Sequence, residues 1–363
     1  MAQEGPADPG TEPGPTKPPT WKRVGGTVLS LAVVVAVFGF VLPGVADYGD
    51  VMDTIRDMTG LEVASLALVG LVNLASYQPA LMAALPGLGF WQAGQVSQAS
   101  TAISNTAPAG AAFGVGLSAA MYRSWGFGRR PVTLALLISG IWNVFAKLGL
   151  PVLAVVLLTT SGDPGGGLVA ASVVGVVALV GSLVVFAAIL RSERAAQAIG
   201  DWGSDRVNQL RRRVGREPIG GFGHTLVKFR RETIELVRTR WLQISVTVLF
   251  SHVTLAAVLL MSLRHVGVSQ DEVSWQQVFA TFSFVRLLSA LPVTPGGVGV
   301  VELGMTAGLV AAGGDRTDVV AAVLVYRALT YLPPIPIGAA CYLYWRRSHA
   351  RSAEVAPAAV DAG

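Results

Sequence analysis

Long runs of apolar residues alternate with short polar and charged segments along the chain. Between residues 63 and 122 the sequence contains no Asp, Glu, Lys or Arg. An apolar helix of about 20 residues spans the ~30 Å hydrocarbon core of a bilayer, because each residue advances the helix by about 1.5 Å. Six runs of spanning length predict six full crossings, at 24–42, 63–85, 132–160, 168–190, 241–263 and 319–345.

Two further apolar stretches, 90–122 and 273–313, are interrupted near their middle by proline and glycine. Each predicts a re-entrant hairpin of two half-helices, which requires that protein or a wet cavity satisfies the non-helical backbone at membrane depth. The alternative is eight ordinary kinked spans. A full crossing at 90–122 would leave Arg123, Arg129 and Arg130 outside, against the enrichment of basic residues in cytoplasmic loops, so the hairpins are favoured.

The arrangement of crossings repeats with opposite orientation: two crossings, a broken hairpin and one crossing occur twice. The sequence therefore predicts an all-α integral membrane protein, a polytopic helical bundle with an inverted repeat, in the plasma (inner) membrane. Both termini are expected in the cytoplasm, because the basic clusters then all lie there. The predicted units are a Pro-rich tail 1–21, a first repeat 22–160, a second repeat 161–345 with a basic cytoplasmic loop 191–240, and a tail 346–363.

Composition excludes several classes of protein. With 52% hydrophobic and 13% charged residues, the chain has about half the charge of an ordinary soluble enzyme. The single Cys341 and four scattered histidines offer no disulfide and no metal centre. The basic segments carry few aromatic residues and no nucleic-acid-binding motif, so membrane topology explains the net charge better. No phosphate loop, nucleophile elbow or paired carboxylate occurs, so neither a cofactor nor an enzymatic activity is expected.

The strongest local motif is the sequence LPVTPGGVGVVELG at 291–304. Its prolines end one half-helix, and Gly296 and Gly297 allow close approach of the backbone to a ligand or another helix. The half-helix that follows would direct its free N–H groups into the membrane, where they favour an anion such as a phosphate by up to ~2 kcal/mol. The alternative is that the glycines serve only tight helix packing.

Four charged residues fall inside predicted membrane segments. Each of Arg286, Glu302 and Arg327 costs roughly 2.5 to 3.5 kcal/mol at the bilayer centre, so each should pair or face a polar cavity. A structural ion pair between Arg286 and Glu302 is the alternative to a binding role. Lys147 is the only charge in the third crossing, although a lysine can also reach an interface. His252 is interpreted as a residue that hydrogen-bonds between helices.

The centre of the first hairpin, residues 104–110, is polar but uncharged. Asn105 is a candidate for binding a head group, or alternatively for satisfying backbone groups freed at the break. The two hairpin centres therefore differ in charge although their predicted topology is the same.

The run 292–304, followed by YRALTYLPPIPIG at 326–338, resembles the flippase-like membrane region of the lysylphosphatidylglycerol synthase family. The resemblance implies that the region moves lipids or lipid-linked head groups between leaflets. It implies a binding role for six residues, namely Pro295, Gly296, Gly297, Glu302, Arg327 and Tyr331. Family members that make aminoacylated lipid add a soluble transferase domain. Here the sequence ends 18 residues after Trp345, so synthase activity is not implied.

The function predicted from these observations is a lipid translocase that holds an anionic or lipid-linked head group between the hairpin tips. One alternative is a nonenzymatic scaffold that docks a cell-envelope glycosyltransferase or lipid synthase through its basic loop. Another is a small-solute secondary transporter. A lipid route should open sideways between helices, a solute route should open only to water, and a scaffold should have a filled centre. The first hairpin has Ala109, Ala111 and Ala112 where the family commonly carries charge, so a lysyl-lipid is not assumed.

Overall fold

The computed structural model describes residues 52–53, 56–107, 110–160, 166–213, 217, 222–289 and 294–355. The predicted tail 1–21 and the first crossing 24–42 lie outside the described residues. Within the described ranges the chain forms helices and turns and no strand. The α-helices are α1 (Gly60–Ser76), α2 (Gln78–Ala84), α3 (Phe90–Thr106), α4 (Gly110–Ser124), α5 (Arg129–Thr160), α6 (Gly166–Arg191), α7 (Glu193–Arg213), α8 (Phe222–His265), α9 (Trp275–Leu288), α10 (Val300–Ala311), α11 (Arg316–Thr330) and α12 (Pro334–Val355).

The apolar runs form long helical segments, as predicted. Four segments of the described chain are long and apolar enough to cross a membrane: Gly60–Ala84, Arg129–Thr159, Thr233–His265 and Arg316–Ser348. The predicted crossing 168–190 lies within α6, which has 26 residues. The prediction of an all-α, multi-pass membrane protein is confirmed.

Helix α1 shows how the sequence sets the beginning of a crossing. The Thr59 side chain accepts a hydrogen bond from the Glu62 backbone N–H, and the Glu62 carboxylate accepts one from the Thr59 N–H at 2.7 Å. This capping box satisfies two backbone donors that the first turn leaves without partners. Beyond it, Leu61, Leu68 and Leu71 are exposed, which is unfavourable in water and suits a surface that faces lipid.

The first predicted hairpin folds back on itself. Helices α3 and α4 have 17 and 15 residues, or about 26 and 22 Å, so neither spans a ~30 Å core. They meet closely because Gly110 and Gly114 lie against Ser104 and Ser100 of α3. Small residues four apart allow this backbone approach, as in other membrane helix pairs.

The second predicted hairpin folds back in the same way. Helices α9 and α10 have 14 and 12 residues, or about 21 and 18 Å. Gly304 lies against Val285 and Gly308 against Thr281, so the helices run antiparallel. Between them lies a short 3₁₀ turn, Pro295–Gly297.

Helix α8 lies at the centre of the bundle. It packs against α1, α2, α5, α6, α7, α9 and α11. The largest buried cluster combines Leu259 and Leu263 of α8 with Phe282 of α9 and with Met305 and Leu309 of α10. The second hairpin is therefore built into the core, while the first packs mainly along α12.

The structure differs in detail from the prediction at the last crossing and at the basic stretch. The last crossing, 319–345, is interrupted because α11 ends at Thr330 and α12 begins at Pro334. Proline has no backbone N–H and disfavours a helical residue before it, which explains the break. The basic stretch 191–240 is helical over most of its described residues, as α7 and the first part of α8. There Arg230 and Arg231 form ion pairs with Glu193.

Candidate functional site

The tips of the two hairpins meet at the break between α11 and α12. The Asn105 side chain at the end of α3 donates a hydrogen bond to the Tyr331 carbonyl at 3.3 Å, and the Tyr331 hydroxyl donates to the Asn105 carbonyl at 2.8 Å. Gly296, at the tip of the second hairpin, lies between them. A Cβ there would overlap the Tyr331 ring and approach the Asn105 side-chain oxygen to 2.9 Å. We call Asn105, Gly296, Glu302, Arg327 and Tyr331 the tip cluster.

An ion pair lies at the centre of the tip cluster. The Arg327 Nε donates to the Glu302 Oε1 at 2.6 Å, and the Glu302 side chain is 1% exposed. Sequence reasoning offered Arg286 as the partner of Glu302; this is wrong, because Arg327 of α11 takes that place. Removal of one member of such a buried pair costs several kcal/mol.

The second oxygen of Glu302 caps helix α10. The Gly299 backbone N–H donates to Glu302 Oε2 at 2.7 Å. The sequence predicted a ligand anion at this half-helix N-terminus, with its free N–H groups and positive dipole end. In the structure a carboxylate of the chain itself accepts the Gly299 N–H and supplies a negative charge at this N-terminus, and the binding of a ligand anion there stays a prediction.

The remaining contacts of Arg327 are also internal. Its guanidinium carbon lies 4.2 Å from the centre of the Tyr331 ring, a cation–π geometry, and its Nη2 donates to the Gly296 carbonyl at 3.4 Å. Pro295 begins the 3₁₀ turn that presents this carbonyl. Gly296 and Gly297 have φ of +59° and +70°, a left-handed conformation that favours glycine.

Lys147 and Arg286 lie outside the tip cluster and form a second group with His252, on α5, α9 and α8. Their charges are close enough to interact. The Trp142 indole of α5 donates a hydrogen bond to Ser245 of α8 at 2.8 Å. Lys147 follows Trp142 by five residues and His252 follows Ser245 by seven, so the two side chains lie at similar depths in the bundle. We call Lys147, His252 and Arg286 the cation cluster.

Arg286 of α9 lies at the same depth as Lys147. Ala154 of α5 packs against Ala280 of α9, and the two helices run in opposite directions. Lys147 precedes Ala154 by seven residues and Arg286 follows Ala280 by six, so both lie about 10 Å from that contact.

The cation cluster contains polar atoms without partners. His252 is 2% exposed, and neither of its ring nitrogens has a hydrogen-bond partner among the described residues. The buried Nε of Arg286 also has none there. No carboxylate in the described part of the chain pairs with Lys147 or Arg286. Sequence reasoning set His252 aside, because only packing between helices brings it beside two cations.

An apolar groove of about 570 Å³ lies between α5, α6 and α8. Leu153, Leu183, Trp241 and Leu249 on its rim are each more than 40% exposed, so the groove opens sideways at the bundle surface. Its other lining residues are Trp142, Phe145, Ala146, Gly149, Leu150, Leu179, Phe186, Val237, Ser245 and Val248.

Residues 27–338 match the protein family described as "Lysylphosphatidylglycerol synthase TM region". The chain belongs to this family. The match contains both hairpins, the tip cluster and the cation cluster, and it confirms the resemblance seen in the C-terminal motifs. Membership identifies a membrane protein of lipid metabolism or translocation. No curated protein matches the sequence.

This family member has a second pocket, of about 460 Å³, between α2, α5 and α8. Arg130, Arg231 and Arg240 line it together with Glu235. It lies at the ends of α5 and α8 that are predicted to face the cytoplasm. Basic residues at such a surface attract anionic lipid by about 1 kcal/mol each.

Proposed function

We propose that the protein is a nonenzymatic lipid translocase, which moves an anionic or lipid-linked head group between the leaflets of the plasma membrane. The observation that carries this proposal is the cation cluster, which lies deep in an apolar bundle beside a groove that opens sideways. A charged head group that crosses the bilayer centre alone faces a large desolvation cost, and cations at that depth lower it.

The two hairpins supply the polar environment in this proposal. Their half-helix ends lie inside the protein and place polar backbone and side-chain groups along the path of a head group, while the acyl chains remain in the bilayer. The Glu302–Arg327 pair of the tip cluster keeps the second hairpin against α11, and the hydrogen bonds between Asn105 and Tyr331 join the first hairpin to the break after α11. A movement of one hairpin relative to the other would then carry the head group past the centre.

The two alternative functions, a scaffold and a small-solute transporter, require a different interior of the helical bundle. A scaffold for a cell-envelope enzyme requires no unpartnered cations in its centre, because each costs stability without serving assembly. A small-solute transporter requires a polar route to water, whereas the groove is lined almost entirely by apolar side chains. Both comparisons favour a lipid substrate.

The test is leaflet exchange in liposomes that contain the purified full chain and a fluorescent phosphatidylglycerol. We expect Arg327→Ala and Glu302→Gln each to slow exchange at least ~10-fold, since either leaves a buried charge unpaired. Arg129→Gln, which changes an exposed arginine at the start of α5, serves as the control. Equal exchange in all variants would contradict a role for the tip cluster, and exchange no faster than in protein-free liposomes would contradict the function.

A further inference from the structure

The charges at mid-depth do not balance. Among the described residues there, Lys147, Arg286 and Arg327 are cationic and Glu302 is the one carboxylate, and Glu302 already pairs with Arg327. Arg286 also lies close enough to Arg327 for their charges to repel. Buried charges without counter-charges are costly, so the interior is set to receive an anion.

We propose that Lys147, His252 and Arg286 bind the phosphate of an anionic phospholipid, with an acyl chain of that lipid in the groove between α5, α6 and α8. This inference rests on the proposed function and gives it a substrate site. The head group then lies at the cation cluster and not at the N-terminus of α10, where the sequence predicted it and where Glu302 supplies a negative charge.

The groove leads to the cation cluster along two helices. On α8, Val248 and Leu249 line the groove, and His252 follows them by four and three residues, which is the same helix face. On α5, Lys147 lies at the same depth as the lining residues Ala146 and Gly149 but on the adjoining face of the helix, that of Ala154, which packs against α9. An acyl chain in the groove therefore brings its head group to the level of all three basic residues.

The donors suit a phosphodiester. Arginine offers a planar fork that matches two phosphate oxygens, and lysine adds a compact charge. Each ring nitrogen of His252 is buried and without a partner in the described chain, so its N–H is available to a third oxygen. The apolar walls of the groove favour a lipid over a free anion as the occupant, since they bind an acyl chain and contribute no binding to a free anion.

The head-group part of the proposal is tested by binding. The purified full chain in detergent is titrated with dioleoylphosphatidylglycerol, dioleoylphosphatidylcholine or glycerol 3-phosphate, and bound molecules are counted by native mass spectrometry. We expect Arg286→Gln and Lys147→Met each to weaken phosphatidylglycerol binding ~10-fold or more. Phosphatidylcholine, whose ammonium group offsets the phosphate charge, should be weakened less, and the Arg129→Gln control should bind both lipids as wild type does. Equal phosphatidylglycerol binding in all variants overturns the site, and tight binding of glycerol 3-phosphate overturns the lipid as its occupant.

The groove part is tested by a matched pair of glycines on α5. Gly149 lines the groove, and a Cβ added there would lie 3.8 Å from a Leu179 methyl group, whereas a Cβ on Gly140 would meet nothing within 4 Å. We expect Gly149→Leu to fill the groove and weaken binding of both phospholipids, and Gly140→Leu to leave binding unchanged. Unchanged binding in Gly149→Leu overturns the placement of the acyl chain.

Thermal unfolding separates binding from folding. Because Arg286 lacks a counter-charge, Arg286→Gln should unfold at a higher temperature than wild type without added lipid. Phosphatidylglycerol should then raise the unfolding temperature of wild type but not of the variant. A lower unfolding temperature of lipid-free Arg286→Gln indicates a structural role and overturns the proposal. If wild type binds phosphatidylglycerol but does not exchange lipid between leaflets, the translocase function is contradicted and the binding site is not. If Arg286→Gln and Lys147→Met exchange lipid as fast as wild type, the binding site is contradicted and the translocase function is not.

Discussion

The two hairpins share a backbone design and differ in how their tips are stabilised. In the first, Ser104 and Thr106 donate hydrogen bonds to carbonyls of their own helix, Ser100 O at 2.8 Å and Ala102 O at 2.7 Å. Of these three neighbouring side chains at the tip, Asn105 is the one that bonds outside the hairpin. The first tip thus satisfies most of its polar side chains locally and carries no charge.

The second hairpin depends on a neighbour. Glu302 caps its own half-helix but needs Arg327 of α11 as a counter-charge. Its backbone also adopts positive φ at Gly296, Gly297 and Gly299, which the first break does not show in its described residues. Local hydrogen bonds make a hairpin independent of its surroundings, whereas an ion pair couples its position to another helix. The second hairpin is therefore the one whose movement α11 can control.

The largest expected effect comes from breaking that coupling. Glu302→Ala leaves Arg327 buried without a counter-charge and removes the cap of α10, so we expect a loss of about 3–5 kcal/mol in the free energy of unfolding. Gln92→Ala removes a cap of the same type from the first hairpin, at the start of α3, where the Gly89 N–H donates to the Gln92 side chain at 2.9 Å. That neutral, exposed cap should cost only about 1 kcal/mol.

Denaturant titration of both variants in the same detergent measures this difference. Similar losses for Glu302→Ala and Gln92→Ala would show that the ion pair does not couple the second hairpin to α11. The double variant Glu302→Ala with Arg327→Leu gives a further check, since removal of both charges should recover most of the loss.

The next effect concerns the glycines that hold each hairpin together. A Cβ on Gly110 would lie 2.9 Å from the Ser104 carbonyl oxygen and nearer still to that of Ile103, whereas one on Gly304 would lie 3.0 Å from a Val285 methyl group. Backbone cannot rotate away as a side chain can. We therefore expect Gly110→Ala to cost about 1–3 kcal/mol and Gly304→Ala less than about 1 kcal/mol.

Gly116→Ala on α4 is the control, because a Cβ there meets nothing within 4 Å. It should be neutral or slightly stabilising in the same denaturant titration, since alanine favours the helix over glycine. A larger loss in Gly304→Ala than in Gly110→Ala would mean that the second hairpin, not the first, has the tighter packing.

The break in the middle of each hairpin could be predicted from the sequence. Proline and glycine in the middle of uncharged runs, together with stranded arginines, predicted both hairpins, because these residues act locally on the backbone. Pro333 and Pro334 carry the same local signal for the break at the end of α11, although the apolar run 319–345 around them predicts one continuous crossing.

The sequence does not predict which charged side chains on different helices pair with each other. Which of Arg286 and Arg327 pairs with Glu302 depends on the packing of α11 against α10, and both arginines are equally conspicuous in sequence. His252 shows the same limit, since its significance comes from Lys147 and Arg286 on two other helices. Sequence thus located the charged residues but not the division between the tip cluster and the cation cluster.

The smallest expected effect tests the contact between the two tips. Tyr331→Phe removes the hydroxyl that donates to the Asn105 carbonyl but keeps the ring beneath Arg327, so the loss in stability should be ~0.6 kcal/mol. If the tips separate when a lipid crosses, the weaker contact lowers that barrier, and leaflet exchange should become up to ~3-fold faster. Tyr342→Phe on α12 lies outside the tip cluster and should exchange at the wild-type rate. Slower exchange in Tyr331→Phe would show instead that the tips stay joined while the lipid crosses, and that the second hairpin moves together with the first.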